Sequence, residues 1–319
     1  MLVGVNLILI IIGLMIVVKG ADFLISASIL LGKKIGLSEM IIGIVIIGFG
    51  TSLSELVVSI DAVLKNVPEL SLGNIIGSNI ANILLVLGVA GFFRKLNFSK
   101  VNHFDNLYHL FAHFLFFLVF FFFQLQALWG IIFLIVFAVY LYLSLTKNQV
   151  SQEEISTENN LINELVKKRP ILLGFPIIIL SILLTLAGAE LTVNSTIKIS
   201  KFFSISESFI GLTIIALGTS LPEIVTGIVA AKKNKTDLII GNVIGSNIYN
   251  LMLILGCVSI FDAFVYDPRE LVSEVLILLL AIIIFLFIVV KKVIYDIKFS
   301  IFFFLIYIFY IANLYIKNF

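Results

Sequence analysis

Long apolar runs are the feature that most constrains this chain. A helix needs about 20 apolar residues to cross roughly 30 Å of hydrocarbon, and ten runs approach or exceed that length. They cover residues 3–30, 38–63, 70–92, 106–124, 127–146, 170–197, 207–231, 237–261, 271–290 and 297–316. Only 13% of the residues are charged and 61% are hydrophobic, against about a quarter and about half in a globular domain. The sequence therefore predicts an all-α polytopic membrane protein with ten transmembrane helices.

One extended polar segment divides these runs into two groups of five. Residues 147–169 contain four glutamates and end directly before Pro170. We interpret this segment as a solvated cytoplasmic linker. It would join a first five-helix repeat, residues 1–146, to a second one, residues 170–319.

The basic residues of the loops indicate the orientation, because cytoplasmic loops of membrane proteins are rich in Lys and Arg. With the N-terminus outside, the cytoplasmic loops hold 15 basic residues and the external side holds five. We therefore expect a multi-pass protein of the cell membrane with both termini extracellular. The net charge of +2 is dispersed over short loops, which gives no reason to expect a nucleic-acid partner, and no obligate protein partner is evident.

A long segment of the chain occurs twice. At a constant shift of 168 residues, residues 43–88 and 211–256 are identical at 25 of 46 positions without a gap. Five helices, an odd number, separate equivalent positions, so the second copy must enter the membrane from the opposite side. Such inverted repeats are common in transporters that bind substrate between the halves near the midplane. A duplication kept for packing alone would not explain why the polar positions repeat better than the apolar ones.

The first repeated motif places a carboxylate inside an apolar run. Residues 50–55 read GTSLSE and residues 218–223 read GTSLPE. Glycine and hydroxyl side chains loosen a helix, and freed carbonyls in hydrocarbon must line a cavity or find a partner. An ionisable residue at this depth indicates a functional site. A capping box, with serine and glutamate satisfying the start of a helix, explains the same spacing and stays open.

The second repeated motif supplies neutral oxygens. Residues 73–82 read GNIIGSNIAN and residues 241–250 read GNVIGSNIYN. The glycines, four apart, favour close helix packing. Ser78 and Asn82 share one helix face, as do Ser246 and Asn250, since side chains four apart lie one above the other. Each copy thus aligns one hydroxyl and one amide oxygen.

These residue types favour a site for hard cations. Two glutamates, hydroxyls, amides and carbonyls form an all-oxygen set that suits Ca²⁺ and Na⁺ rather than zinc or copper. Two carboxylates balance one Ca²⁺ or two Na⁺, and because they are close and buried, a proton could compete with the metal ions. No nucleotide-binding loop or nucleophilic triad is present. We therefore expect a transporter driven by ion gradients, without a cofactor, and not an enzyme.

Both motifs resemble the α-repeats of the cation/calcium antiporter superfamily. The length and the layout of ten runs resemble its prokaryotic sodium/calcium exchangers. The resemblance implies that Glu55 and Glu223 are central carboxylates shared by Ca²⁺ and Na⁺. The other implied ligands are the backbone carbonyls of Thr51 and Thr219 for Ca²⁺, the carbonyls of Gly48 and Ala216 with the side chains of Ser52, Ser220, Ser78 and Ser246 for Na⁺, and the amide of Asn82.

One ligand position departs from the pattern of the superfamily. Some relatives carry aspartate where this chain has Asn250. We keep Asn250 in the expected ligand set, but the lost carboxylate makes potassium co-transport unexpected and leaves the number of Na⁺ sites open.

The expected function is a secondary antiporter that exchanges several Na⁺ for one Ca²⁺ by alternating access. Its alternatives are a Ca²⁺/H⁺ or other cation/H⁺ antiporter and a cation channel. A membrane enzyme is disfavoured, since neither motif pairs its glutamate with a histidine or a nucleophile.

Four further residues have weaker patterns. His109 and His113, four apart in an apolar run, have a spacing that could bind a metal, but it is more typical of structural histidines. Asp22 and Glu190 match at the shift of 168 residues. They would guide ions to the site or pair with a nearby cation such as Lys19.

Overall fold

A computed structural model of the protein describes residues 2–98, 101, 103–147, 170–203, 216–261 and 267–317. This part of the chain is almost entirely helical. The helices are α1 (Leu2–Lys34), α2 (Glu39–Thr51), α3 (Leu53–Leu64), α4 (Pro68–Phe93), α5 (His103–Phe122), α6 (Ala127–Lys147), α7 (Pro170–Phe202), α8 (Ala216–Thr219), α9 (Leu221–Lys232), α10 (Thr236–Val258), α11 (Val272–Val290) and α12 (Ile297–Lys317). Strands β1 (Leu96–Asn97) and β2 (Ile294–Tyr295) pair antiparallel, and a 3₁₀ turn, Pro268–Leu271, precedes α11.

Helices of membrane-spanning length dominate the described residues. Eight are long and apolar enough to cross a bilayer, and α2 with α3, bent by 40°, would make a ninth. The prediction of a polytopic helical membrane protein is therefore confirmed. The predicted seventh run, residues 207–231, begins outside the described residues, so ten spans stay a prediction. Residues 148–169 of the predicted linker also lie outside them.

Two helices form the centre of the bundle. In their most apolar 18-residue windows, 83% of α4 and 94% of α10 is buried, against 33% in both α1 and α7. These two central helices carry the two copies of the second motif. The polar motif residues therefore lie in the protein interior, away from the lipid-facing surface.

Helices α1 and α7 pack along each other at the side of this centre. A Cβ atom added to Gly13 would lie 2.8 Å from the carbonyl oxygen of Gly188. At Gly20 it would lie 2.8 Å from the backbone nitrogen of Thr185. Small residues let two helix backbones approach this closely in the absence of a hydrophobic driving force.

The loop residues of several helices meet at one end of the molecule. Glu39, at the start of α2, pairs with Lys33 at 3.7 Å and with Lys235 at 2.7 Å. Lys232 lies 5.2 Å from the centroid of the Phe93 ring at the end of α4. The turn after α1, the end of α4 and the loop between α9 and α10 therefore share one end.

The repeated sequence forms repeated local structure. A π-helical segment begins at the end of the second motif in both copies, at Asn82–Val86 and Tyr249–Ile254. Asn66 and Asn234, 168 residues apart, both adopt the left-handed conformation, with φ of 58°. A further π-helical segment, Gly43–Gly48, lies in α2, and most of its counterpart falls outside the described residues.

Close packing by the paired glycines is confirmed in the second copy. A Cβ atom on Gly245 would lie 2.7 Å from the Cα atom of Ile44 in α2. For Gly73 and Gly77 of the first copy, the residues equivalent to this part of α2 lie outside the described residues.

Candidate ion-binding site

A break in the helix precedes each glutamate of the first motif. Ser52, with φ of −73° and ψ of 1°, separates α2 from α3, and Ser220, with φ of −85° and ψ of 2°, separates α8 from α9. A new helix thus begins at each motif, as both interpretations of the sequence require. Neither serine makes a side-chain capping bond, so the capping box does not form.

The two glutamates of the first motif are buried, and most of their carboxylate oxygens lack a hydrogen-bond partner in the described part of the chain. Glu55 is 0% exposed and Glu223 is 1% exposed. Within the described residues, Oε1 of Glu55 and both carboxylate oxygens of Glu223 have no hydrogen-bond partner. Burying an unpaired carboxylate is costly. A bound cation would compensate that cost.

Hydrogen bonds join the first motif of each copy to the second motif of the other. The hydroxyl of Thr51 in α2 donates to Asn242 Oδ1 in α10 at 3.4 Å. The hydroxyl of Thr219 in α8 donates to Asn74 Oδ1 in α4 at 3.2 Å. These contacts are reciprocal between the two copies. Both halves of the chain therefore build one common site.

The two asparagines are also fixed at their amide nitrogens. Asn74 Nδ2 donates to Ser59 Oγ at 3.0 Å and to the Glu55 carbonyl at 3.3 Å. Asn242 Nδ2 donates to Thr226 Oγ1 at 3.3 Å. The prediction of site residues omitted both asparagines, although their identity in the two copies was a usable signal. Ser59 and Thr226 occupy different positions of the repeat, so the repeat gave no signal for them.

Ser54 is a further residue that the prediction omitted. Its hydroxyl lies 2.9 Å from the Thr51 carbonyl oxygen, 3.0 Å from that of Thr219 and 2.9 Å from Glu55 Oε2. Two of these three oxygens belong to the first copy and one to the second. The second copy has Pro222 at this position. The repeat could not identify Ser54, because this position differs between the copies.

The serines implied by the resemblance are buried and lie among these groups. Ser220 Oγ donates to Ser78 Oγ at 3.4 Å, across the two copies. Ser246 Oγ lies 3.5 Å from the Gly48 carbonyl oxygen. Gly48 permits this approach, since a Cβ atom there would lie 3.1 Å from the backbone nitrogen of Ser246. Ser52 Oγ has no partner among the described residues.

The amides of the second motif differ in their bonding. Asn82 Nδ2 donates to Asn247 Oδ1 at 3.0 Å, and Asn82 Oδ1 has no partner within the described residues. Asn250 is 0% exposed, and neither of its amide atoms has a partner there. Of Ala216 only the backbone is described, at the start of α8.

The donor set is one of oxygen atoms. Among the described residues, no group of three His, Cys, Asp or Glu side chains is arranged to hold a metal ion. Carboxylate, hydroxyl, amide and carbonyl oxygens are ligands that Ca²⁺ and other hard cations prefer. The unpartnered oxygens of the two glutamates, Asn82 and Asn250 fit such an ion.

Known proteins resemble this chain over most of its length. The family model described as sodium/calcium exchanger protein matches residues 5–146 and 173–316. The inner membrane protein YrbG of Escherichia coli is 34% identical over 282 residues, which is 87% of this chain and 86% of YrbG. The sodium/calcium exchanger MaX1 of Methanosarcina acetivorans is 29% identical over 300 residues, covering 82% of this chain and 84% of MaX1. A solved structure of the sodium-calcium exchanger NCX_Mj, soaked with Na⁺ and Sr²⁺, superposes with a TM-score of 0.79 at 30% identity, covering 97% of this chain and 99% of that one.

Proposed function

Because this chain belongs to the sodium/calcium exchanger family, we propose that it is a secondary antiporter that exchanges several Na⁺ for one Ca²⁺. One observation carries the proposal. Two fully buried glutamates, one from each sequence copy, have carboxylate oxygens without a partner among the described residues, and oxygen-bearing side chains surround them. Such a site requires a cation.

The proposed ligands are the residues implied by the resemblance. Glu55 and Glu223 would bind Ca²⁺ and Na⁺ in turn. The remaining ligands would be Thr51, Thr219, Ser52, Ser220, Ser78, Ser246, Asn82 and Asn250, with the carbonyls of Gly48 and Ala216. The burial of the glutamate, threonine, serine and asparagine side chains and the bonds between the two copies support this assignment.

Competition for the carboxylates gives a physical reason for exchange rather than leak. An empty site with two buried negative charges is costly to carry through the bilayer centre. A site loaded with one Ca²⁺ or with Na⁺ is close to neutral, so it can change its access to the two sides. Na⁺ would therefore bring the site back to the side on which it binds Ca²⁺, and Ca²⁺ would do the same for Na⁺.

We propose an inverted ten-span topology with both termini outside. The shared end of α1, α4 and the loop between α9 and α10 supports it, because the predicted cytoplasmic loops coincide there. The reciprocal bonds between the copies support an approximate two-fold relation of the halves.

Ion-swap transport in proteoliposomes tests the function. Purified full-length protein is reconstituted with internal Na⁺, and uptake of ⁴⁵Ca²⁺ is followed after dilution into Na⁺-free medium. We expect uptake that depends on the outward Na⁺ gradient and stops when an ionophore dissipates it. The control is a vesicle without protein.

Other outcomes would overturn the proposal in defined ways. Uptake driven by a pH gradient and indifferent to Na⁺ would assign a Ca²⁺/H⁺ antiporter. Ca²⁺ current in a planar bilayer without any counter-ion would assign a channel.

A further inference from the structure

Buried polar side chains form a chain from the ion site to helix α5. Asn82 Nδ2 donates to Asn247 Oδ1 at 3.0 Å, and Asn247 Nδ2 lies 3.2 Å from His109 Nε2. The exposed fraction is 1% for Asn82 and 0% for Asn247 and His109. The sequence favours a structural role for His109, so this connection is a finding of the structure.

We propose that His109 is the positioning residue that turns the amide oxygen of Asn82 toward the transported ion. An amide NH₂ group can only donate a hydrogen bond, so this contact requires the His109 tautomer with its proton on Nδ1 and an acceptor at Nε2, and that tautomer is part of the proposal. Asn247 Oδ1 then faces Asn82 and takes a hydrogen bond from Asn82 Nδ2. Asn82 Oδ1 is left without a partner in the described residues. That oxygen is the atom that a cation requires, and the inference rests on the proposed function of the site.

An acceptor at His109 Nε2 disfavours the arrangement in which the amides of Asn82 and Asn247 are both turned over. Asn82 and Asn247 could turn over together and keep their mutual hydrogen bond. Asn82 would then present its NH₂ group, which repels a cation, to the site. With His109 Nε2 as an acceptor, the reversed Asn247 would place its oxygen against the lone pair of the ring nitrogen. The histidine therefore selects the arrangement that can bind an ion.

The ring of His109 is itself held in place by packing. It meets the ring of His113 edge-to-face with centroids 4.6 Å apart, and that of Phe285 in α11 with centroids 5.3 Å apart. His113 Nδ1 lies 2.8 Å from the His109 carbonyl oxygen. Close contacts on two sides restrict rotation of the ring, so Nε2 keeps facing Asn247.

The equivalent amides of the second copy are not bonded in this way. Asn79 corresponds to Asn247, and Asn250 corresponds to Asn82. Neither Asn79 nor Asn250 has a side-chain hydrogen bond within the described residues. The proposed positioning therefore belongs to the first copy alone, and a change at His109 should act through Asn82 and not through Asn250.

A double-mutant cycle tests the proposal. The affinities of purified full-length protein for Ca²⁺ and Na⁺ are measured by isothermal titration for H109F, N82A and the double variant. H109F keeps an aromatic ring but removes the acceptor. We expect H109F to weaken binding of the same ion as N82A, by about tenfold, the lower end of effects reported for residues behind metal ligands. In the N82A background, H109F should cause no further loss.

Two more variants separate positioning from packing. H109Q offers an amide oxygen to Asn247 and should recover most of the affinity. H113F replaces the neighbouring buried histidine on the same helix, which has no bond to Asn247 among those described, and should bind as the wild type. If H109F does not fold, H109L takes its place in the cycle.

The outcomes that overturn the inference differ from those that overturn the function. An equal loss from H109F with and without Asn82 would show that His109 acts through packing. Wild-type affinity in H109F would also exclude positioning. If the wild type binds neither Ca²⁺ nor Na⁺, the proposed function itself fails.

Discussion

The two glutamates of the site occupy equivalent positions in the repeat but have different surroundings. Glu55 Oε2 accepts a hydrogen bond from the Ser54 hydroxyl at 2.9 Å. Neither oxygen of Glu223 has a partner in the described residues. The preceding residue explains the difference, since Pro222 has no hydroxyl to donate. Duplication kept the charges and the helix breaks, while the hydrogen bonds around them diverged.

The two equivalent lysines show the same divergence farther from the site. Lys233 pairs with Asp22 of α1 at 2.7 Å and donates to Ser26 Oγ at 2.8 Å, so Lys19 is not needed as the partner of Asp22. Lys65 pairs at 2.6 Å with Asp61, one turn earlier in its own helix, and Glu190 is exposed. Equivalent residues of the two copies therefore have different partners in this conformation. Alternating access would require such a difference in contacts between the two copies, because only one side of the site can be open at a time.

The largest expected effect tests whether transport needs the negative charge of both glutamates, although their hydrogen bonds differ. We expect E55Q and E223Q each to reduce Na⁺-dependent ⁴⁵Ca²⁺ uptake in proteoliposomes more than about 100-fold. One Ca²⁺ in a buried site needs two negative charges, and glutamine removes one at nearly constant volume. The control is D61N, which changes an exposed carboxylate on the same helix as Glu55. Substantial exchange in either glutamine variant would show that only the other glutamate carries the ion.

An intermediate effect tests whether the hydroxyl of Ser54, which the second copy lacks, binds Ca²⁺. Its contacts of 2.9–3.0 Å to three oxygens match the spacing between neighbouring ligands of an ion with Ca–O distances of about 2.4 Å. When Ca²⁺ binds Glu55, the Ser54 proton would turn from Glu55 Oε2 to the Thr51 carbonyl, which leaves the hydroxyl lone pairs free for the ion. We expect S54A to raise the KM for Ca²⁺ about tenfold, or roughly 1.4 kcal/mol.

The control for S54A is S259A, because Ser259 is a buried serine that donates to the Leu255 carbonyl at 2.7 Å, outside the site. A lower KM in S54A would mean that the hydroxyl competes with Ca²⁺ for the carbonyls and is not a ligand.

The smallest expected effect tests whether the ion pair of Lys233 contributes more to stability than that of Lys65. The side chains of Lys233 and Asp22 are 19% and 28% exposed, against 69% and 56% for Lys65 and Asp61. Exposed ion pairs within one helix contribute little. We expect K233A to lower the apparent Tm in detergent by about 2 °C, for a loss on the order of 1 kcal/mol. K65A should leave it unchanged, and equal shifts in both variants would remove the distinction.

The sequence alone predicted the membrane class, the helices and the two central glutamates. Each of these depends on local composition or on identity between the copies. A run of about 20 apolar residues in a bilayer forms a helix, because outside a closed barrel its backbone groups can bond only within the segment. The helix starts at Leu53 and Leu221 also follow from the glycine and hydroxyl residues before them.

The tertiary structure decided which of the polar side chains meet. Ser54 with Thr219 joins residues 165 apart in the chain, and His109 with Asn247 joins residues 138 apart. Such contacts depend on the depth and angle at which separate helices pack, which spacing along one helix does not encode. The capping box at Ser52 does not form, and Glu55 Oε2 accepts a hydrogen bond from Ser54 instead. The sequence thus determined which charges lie in the membrane, and the packing of the helices decided how they are bonded.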